Sequence, residues 1–356
     1  MAEFDFSLLP RVNENALLCV ADIRSEIAHF QVDEQLPFMP DGEGGHVWLK
    51  IQKQGINTDW LSGELATFSG VPPVAVGYAG LKDRHAITSQ WFSVNLEGYG
   101  EPDWSLFEND SIKIIEKTRH GKKLKRGVLS GNKFTLRLSQ CQGERSVWQH
   151  NLEHIQGYGV PNYFGEQRFG HQLDNLYRAE HWFSTDKAPK KRNQKSLYLS
   201  AARSWLFNQV VAKRIEQQNW NQAVLGDVML LAGTKASLFT VELLDDLLHK
   251  RVETMDIHPT AALWGKGVLA TQSDSLKLEQ AVLADWERWQ QGLEKAGLKQ
   301  ERRSMRLFPH DFDWQFRDDG QLELAFSLPA GCYATAVLRE LAVIRDAKQR
   351  NYHDKT

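Results

Sequence analysis

The sequence predicts an α+β protein in which a sheet-based domain is divided along the chain by a helix-rich segment. Apolar and polar residues alternate near both ends of the 356-residue chain, at 46–53, 133–139 and 322–328, and this period of two indicates strands. Between about 144 and 294, apolar residues instead recur at the i, i+3, i+4 spacing of helices. The simplest topology is a helical domain inserted into a sheet domain that the last strand and helix complete.

The elements follow in order from local signals. In the strand at 46–53, Val47, Leu49 and Ile51 share one face. Asn57 or Thr58 can cap a helix that ends at Gly70. Further strands are predicted around 76–81, 90–96, 112–117 and 133–139. Helices are predicted at 147–155, 173–183, 201–217, 241–252 and 278–293, with Ser200 and Thr240 as N-caps, and a final helix carries Val337, Leu338, Leu341 and Ile344.

Composition restricts the class of protein. Hydrophobic residues make up 42% and charged residues 25% of the chain, as in ordinary globular proteins. The 3 cysteines have no paired spacing, which argues against a disulfide framework or a cysteine zinc site and favours a reducing compartment. The N-terminus lacks the features of a secretory signal, and no apolar run approaches the roughly 20 residues of a membrane span. We therefore expect a cytoplasmic protein that does not cross a membrane.

Positive charge is concentrated in two runs although the net charge is −2. Residues 113–126 contain 7 cations, Lys122 and Lys123 among them, against 1 acid, and residues 187–195 contain 5 cations and no acid. A local positive surface is what phosphate binding requires, whatever the total charge. The alternative is a pair of solvated surface segments, but two such runs favour a polyanionic partner.

The segment from Gly77 to Thr88 places a carboxylate, Asp83, between the cations Lys82 and Arg84. Two glycines precede it and a strand signal follows, so a polar loop that enters a sheet is predicted. An ionised acid in this position is a candidate nucleophile or charge stabiliser. Alternate side chains of an extended chain point to opposite faces, so a distant cation such as Arg24 can stabilise the carboxylate as readily as its neighbours.

These residues belong to a series of sequence strings that resemble motifs of the TruD family of tRNA pseudouridine synthases. The strings occur in the same order as in the family. The strings are Arg24–Val32, Pro40–Gly44, Gly77–Thr88, Gly131–Leu136, Val160–Gly170, Leu199–Ser204 and Leu328–Thr335. The resemblance covers nearly the whole chain, and the strings around Asp83 and within Val160–Gly170 are long and specific.

The resemblance implies a fold and an activity. The fold is a pseudouridine-synthase catalytic domain with a mixed, mainly antiparallel sheet, formed by 1–156 and 305–356 and interrupted by an α-rich family-specific domain at 157–304. The activity is the isomerisation of uridine 13 of tRNA, without a cofactor, on a base flipped out of the RNA stack. By resemblance Asp83 is the catalytic aspartate and tRNA is the partner; no protein partner is implied.

The resemblance also implies a set of substrate-binding residues. Phe30, Phe134 and Tyr333 lie in family strings, and each aromatic ring either stacks on the base or packs in the core. Asn132 offers an amide that suits the uracil edge, or it serves the turn after Gly131. Tyr333 stands where phenylalanine is common in the family, and Arg24 where lysine is common. A buried Tyr333 hydroxyl would therefore need a partner.

The remaining expectations concern RNA contacts and alternatives. Lys82, Arg84, Arg168, Lys122 and Lys123 are the predicted RNA-binding cations. Twelve histidines are scattered without metal-ligand spacing, so no metal is expected. Two other functions stay open: a non-catalytic RNA-binding protein that retains the fold, and a carboxylate-based glycosidase or nucleosidase.

Overall fold

The computed structural model of the chain describes residues 4–234 and 236–347. Its strands are β1 (Val20–Ile23), β2 (Phe30–Gln35), β3 (His46–Gln54), β4 (Val76–Tyr78), β5 (Ile87–Asn95), β6 (Ile112–His120), β7 (Gly131–Gln142), β8 (Val160–Pro161), β9 (Val228–Leu231), β10 (Leu238–Thr240), β11 (Ile257–Leu263), β12 (Glu301–Ser304), β13 (Arg306–Leu307), β14 (His310–Phe316), β15 (Leu322–Pro329) and β16 (Val343–Asp346). Its α-helices are α1 (Thr58–Phe68), α2 (Arg145–Tyr158), α3 (Asp174–Thr185), α4 (Arg192–Glu216), α5 (Asp246–Glu253), α6 (Ser273–Leu283), α7 (Glu287–Lys295) and α8 (Ala334–Leu341). The predicted α+β class is confirmed.

The chain divides into two compact units, each built from segments that are distant in sequence. The sheet unit comprises residues 17–148, 309–331 and 342–347, and the helical unit comprises residues 4–16, 149–308 and 332–341. Assignment of 157–304 as a family-specific domain stays a prediction. No helix in the described part of the chain is both long and apolar enough to cross a membrane.

Ten strands of the described sheet unit form one mixed sheet. Seven lie in the order β14-β15-β7-β2-β5-β3-β6, in which every neighbouring pair is antiparallel except β2 with β5. At its side, β1 pairs in parallel with β16 and antiparallel with β7, and β4 pairs antiparallel with β5. The mainly antiparallel sheet expected from the sequence is therefore present.

One face of this sheet is covered by α1. Leu49 and Ile51 of β3 are fully buried together with Leu61 and Leu65 of α1. The helix begins after Asn57 and is followed by Gly70 at φ +66, a left-handed conformation that favours glycine. The predicted strand and helix in this region are confirmed. Thr58 is the first helical residue, and its hydroxyl bonds to the sheet instead of capping the helix.

The helical unit is built around α4, the longest helix described. Trp205 and Phe207 of α4 are buried with Phe4 near the N-terminus and Trp289 of α7. Aromatic contacts join these elements, for instance Phe4 with Trp205 at 5.6 Å between ring centroids in an edge arrangement. A small antiparallel sheet, in the order β10-β9-β11-β12, completes the unit.

Both N-caps predicted in the middle of the chain were wrong. Helix α4 begins at Arg192, so Ser200 lies in its interior. Thr240 ends strand β10, and α5 is capped by Asp245, whose side chain accepts from Leu248 N at 2.7 Å. Short leucine-rich segments fit both the helical and the extended period, and tertiary pairing decides between them. For the same reason the sequence did not predict strands β9 to β12.

Two predicted helices also differ in extent. The stripe at 278–293 is two helices, α6 and α7, separated by a 3-10 turn at Ala284–Trp286. The final helix α8 ends at Leu341, and Ile344 lies on β16, opposite Ala21 of β1. This segment is a strand because it pairs with β1, which lies more than 300 residues earlier in the chain. The local pattern of apolar residues does not reveal such a distant partner.

Candidate active site

Asp83 lies on the loop that joins β4 to β5 in the sheet unit, as the sequence predicted. One carboxylate oxygen accepts a hydrogen bond from His85 N at 2.8 Å, which closes a tight turn. The other carboxylate oxygen lies 3.1 Å from a terminal nitrogen of Arg24. The side chain remains 37% exposed. The carboxylate therefore combines a fixed orientation with access from solvent.

Arg24 holds this carboxylate from the segment between β1 and β2. Its backbone is left-handed, with φ 59, which is uncommon for a residue with a side chain. The guanidinium bridges Asp83 and Asp346, the latter at 2.8 Å, and lies over the Phe30 ring at 4.4 Å from the centroid. Two acids and an aromatic face thus fix one cation, whose side chain is only 13% exposed.

The two cations next to Asp83 in sequence have other partners. The Lys82 ammonium is buried and bonded to the carboxylate of Glu34, which is itself fully buried. The Arg84 side chain is exposed and donates to the His85 ring at 2.9 Å. Of the three cations that the sequence offered, Arg24 is the one in contact with the Asp83 carboxylate.

Phe30 and Phe134 lie on the same face of neighbouring strands β2 and β7. Their ring centroids are 6.4 Å apart in an edge arrangement, and Phe134 also stacks on Phe326 of β15 at 5.5 Å. Both rings are more than nine-tenths buried. The structure therefore places these two predicted residues beside each other and, through Arg24, within reach of the Asp83 loop.

Asn132 lies two residues before Phe134 on β7, between Glu34 of β2 and Leu328 of β15. Its amide oxygen is buried and has no hydrogen-bond partner among the described residues. An unpaired buried acceptor costs free energy and is uncommon in folded proteins. Such an atom is a candidate to accept a hydrogen bond from a ligand.

Tyr333 and Arg168 belong to the helical unit, where they contact each other. The Tyr333 hydroxyl accepts a hydrogen bond from Arg168, and the other terminal nitrogen of Arg168 donates to Ser200 Oγ at 2.9 Å. Phe164 packs against Tyr333 at 6.1 Å between centroids, and the Arg303 guanidinium lies 4.2 Å from the Phe164 centroid. Arg168 is thus the partner that the sequence required for a Tyr333 hydroxyl.

The basic run at 113–126 is only partly neutralised. Lys117 and Arg119 both pair with Glu101. Residues 121–127, which we term the basic loop, connect β6 toward β7, and here Lys122 is exposed while the Lys123 ammonium donates to Val74 O. In the same loop Arg126 pairs with Asp59 at 3.4 Å, so Lys122 and Lys123 are the predicted RNA-binding cations there that have no carboxylate partner among the described residues.

This basic loop is docked onto the strand that leads to Asp83. Leu124 N donates to Ser93 Oγ at 2.9 Å, and Gly127 N donates to Ala79 O at 2.7 Å. At Gly77 an added Cβ would lie 2.3 Å from Leu124 O, so the close approach of the two backbones requires glycine. The family string beginning at Gly77 thus serves loop docking as well as the turn.

Four polar residues under the Asp83 loop were missed from the sequence: Glu34, Lys53, Thr58 and Gln90. All four are buried. Lys53 occupies the apolar face of β3, in phase with Val47, Leu49 and Ile51, and a lysine at such a position was the available signal. Burial, together with the like charge of Lys82, lowers the pKa of Lys53 from 10.5 to about 8, although Asp83 opposes the shift.

The described residues include no group of three or more His, Cys, Asp or Glu side chains placed to bind a metal ion. The groups described above are instead the Asp83 carboxylate with the Arg24 guanidinium, two phenylalanine rings and the Asn132 amide. The single accessible carboxylate in this set can act at an anomeric carbon as a nucleophile or as an ion-pair partner.

Proteins of one family are similar to this chain over most of its length. A family model described as tRNA pseudouridine synthase D (TruD) matches residues 18–178 and 184–341. The chain is 46% identical over 325 residues to a tRNA pseudouridine synthase D of Hydrogenovibrio crunogenus, covering 91% of this chain and 93% of the relative. It is 47% identical over 332 residues to that of Nitrosococcus oceani, covering 93% and 92%.

A solved structure, described as a putative tRNA pseudouridine synthase D from Methanosarcina mazei, has the same fold, with a TM-score of 0.71 at 20% identity and coverage of 93% of this chain and 95% of that one. Sequence strings, fold and relatives agree on one class of protein, the RNA-modifying pseudouridine synthases. Within it, the chain belongs to the TruD family, tRNA pseudouridine synthase D.

Proposed function

We propose that this protein isomerises uridine 13 of tRNA to pseudouridine, without a cofactor, with Asp83 as the reacting carboxylate. The single observation that carries the proposal is the accessible Asp83 carboxylate held at 3.1 Å by the Arg24 guanidinium over Phe30. Membership of the TruD family supports the reaction class. The position in tRNA follows from the resemblance alone.

The reaction needs little beyond a placed carboxylate. The bond from uracil N1 to ribose C1′ breaks, the base turns, and a bond forms from C5 to C1′. The proton on C5 is then lost and N1 gains one, so the product has the mass of the substrate. A carboxylate stabilises the electron-poor C1′ by attack or by charge, as in glycosidases. We assign this role to Asp83 and assign Arg24 to orienting it and stabilising its negative charge.

The uracil must leave the RNA stack, which costs a few kcal/mol that contacts in the pocket offset. The unpaired Asn132 oxygen can accept from uracil N3–H. Phe30 supports Arg24 through its ring face, and Phe134 supports Phe30. Both rings are more than nine-tenths buried, and we retain them as candidates to contact the base at their edges. Tyr333 stays a predicted substrate contact of the helical unit.

We place the RNA backbone against the exposed cations. Lys122, Lys123 and Arg84 are the candidates in the sheet unit, because the basic loop is docked beside the strand that leads to Asp83. Arg168 is retained as a candidate in the helical unit. Lys82 is not assigned to phosphate, because its ammonium is buried against Glu34. The described cysteines, Cys19, Cys141 and Cys332, form no disulfide with one another, which fits our placement of the reaction in the cytoplasm.

The proposal is tested with Asp83→Asn on a tRNA transcript that carries uridine 13, with pseudouridine located by primer extension. We expect the variant to lose at least about a thousandfold in rate and to keep its tRNA affinity. Asp33→Asn is the matched control, since Asp33 is also a partly exposed carboxylate paired with a cation, Lys50 at 2.9 Å.

Any of four outcomes would contradict the proposal. Turnover by Asp83→Asn at the wild-type rate would exclude Asp83 as the reacting carboxylate. A wild-type protein that binds tRNA without modifying it would be the RNA-binding alternative. Release of free uracil would identify a nucleosidase, and pseudouridine at another position alone would refute the assignment to uridine 13.

A further inference from the structure

Lys53 is a fully buried cation directly beneath the Asp83 loop. It lies near the end of β3 and is 1% exposed. Its ammonium donates to Ile56 O at 2.7 Å and reaches Asp83 O at 3.5 Å. An ammonium group is seldom buried without a carboxylate partner, and both of the described partners of Lys53 are main-chain carbonyls. Packing alone gives no reason for a charge here.

Other buried side chains bind the same loop at its main chain. Thr58 Oγ1 accepts from Lys82 N at 3.1 Å and donates to Gln90 Oε1 at 2.8 Å. The Gln90 amide in turn donates to Gly80 O at 3.1 Å. The loop therefore has its backbone held at residues 80, 82 and 83 by side chains from β3, α1 and β5.

The charged groups near Lys53 are mostly paired with one another. Lys82 is neutralised by Glu34, whose second oxygen accepts from Trp91 N at 3.2 Å. Arg24 is engaged by Asp83 and Asp346. Asp83 itself is the acid whose field acts on Lys53, and Lys82 is the opposing cation. The Lys53 charge therefore interacts with the Asp83 carboxylate, whose side chain is 37% exposed.

We propose that Lys53 is a positioning residue for the reaction: its ammonium fixes the Asp83 main chain, adds positive charge below the carboxylate, and on deprotonation sets an alkaline limit to the chemical step. The inference rests on the proposed role of Asp83. Because Lys53 is only 1% exposed, we assign it no contact with the substrate and do not count it as a catalytic residue.

The pH dependence follows from burial. With a pKa near 8, Lys53 is protonated at neutral pH and loses its charge as the pH rises past that value. The neutral amine still donates a hydrogen bond to Ile56 O, but it no longer stabilises negative charge at Asp83. The chemical step should slow above about pH 8, while tRNA affinity, which depends on exposed cations, should change little there.

The test is the single-turnover rate of pseudouridine formation between about pH 6.5 and about 9.5. We expect the wild-type rate to fall above about pH 8. Lys53→Met should be slower by about tenfold or more at neutral pH, and its rate should not show the fall near pH 8, which we call the alkaline limb of the pH–rate profile. Its tRNA affinity should stay within about twofold of wild type. Lys50→Met, which removes a lysine three positions away on the same strand, should keep both the rate and the limb.

Two results would overturn the proposal while leaving the proposed function intact: a wild-type rate in Lys53→Met, or an unchanged alkaline limb, which would then belong to the substrate or another group. If Lys53→Met fails to fold, the Lys53 ammonium is titrated in the wild type by NMR of labelled lysine. Titration at the pH of the kinetic limb supports the proposal, and a Lys53 that stays charged throughout that limb refutes it. A wild type without activity at every pH would refute the proposed function instead.

Discussion

The Arg24 guanidinium lies 3.1 Å from the Asp83 carboxylate and 2.8 Å from Asp346, with the Phe30 ring beneath it. These groups come from the two ends of the sheet unit's sequence and from the loop between β4 and β5. A planar guanidinium offers five N–H donors in a fixed fork and stacks flat on a ring, whereas an ammonium is a point charge with three donors.

Arg24→Met should lower the rate of pseudouridine formation by about a hundredfold, because Asp83 loses the charge and the orientation that Arg24 supplies. Arg24→Lys should recover part of that loss, since the charge returns without the two-sided geometry. Asp346→Asn is the control: it removes the second acid and should cost less than about threefold. Single-turnover rates at saturating tRNA measure all three. Equal rates for Arg24→Met and wild type would contradict the expected role of Arg24.

Gly77→Ala should displace the basic loop, because the new methyl group would lie 2.3 Å from Leu124 O. We expect tRNA affinity to fall about fivefold and the slope of log K against log salt to become shallower by about one. Gly80→Ala is the matched control, since no atom lies within 4 Å of a Cβ at that position. Binding titrations at several salt concentrations give both values, and identical behaviour of the two variants would refute the docking role.

Asn132→Ala removes a buried oxygen that has no described partner. The free energy of unfolding should therefore change by less than about 1 kcal/mol, because no internal hydrogen bond is lost. Activity should respond differently: kcat/KM should fall about tenfold if this oxygen accepts from uracil. Asn57→Ala is a control, since Asn57 also makes no side-chain cap bond. A strongly destabilised Asn132→Ala with normal activity would indicate a structural role.

Lys53 should destabilise the folded protein at neutral pH. Its pKa is about 8 when folded and near 10.5 when unfolded, so between these values the unfolded chain binds more protons. The free energy of unfolding of wild type, relative to Lys53→Met, should therefore rise with pH across this window, by about 3 kcal/mol at most. Denaturant melts at about pH 7 and about pH 10 measure the difference. A difference that falls with pH would contradict the burial of a charged Lys53.

Lys53 is expected to lower the stability of the folded protein at neutral pH and to raise the rate of the reaction. It is therefore a residue whose effect on activity opposes its effect on stability. The Lys53→Met protein is expected to melt no earlier than wild type at neutral pH while it reacts more slowly. That combination would separate a positioning role from a purely structural one.

Local patterns were sufficient for much of the sheet unit. Alternation along β3 and the turn glycine after α1 gave the correct elements, because these features depend on neighbours in sequence. They failed where the partner is remote: β16 is a strand because it pairs with β1. They also failed at the start of α4, which begins at Arg192, whereas its buried residues begin only at Ala201.

The sequence by itself determined the family, and it predicted the Asp83 loop and the aromatic and amide residues assigned to the same site, since each lies in a continuous string of characteristic residues. Only the tertiary structure decided which cation holds Asp83 and which are buried elsewhere. Neighbouring side chains in an extended loop point to opposite faces. Lys82 therefore points away from the Asp83 carboxylate and pairs with Glu34, and the distant Arg24 is the cation that contacts Asp83. The same folding brought Lys53, Thr58 and Gln90 under the loop from three separate elements, an arrangement that no local pattern encodes.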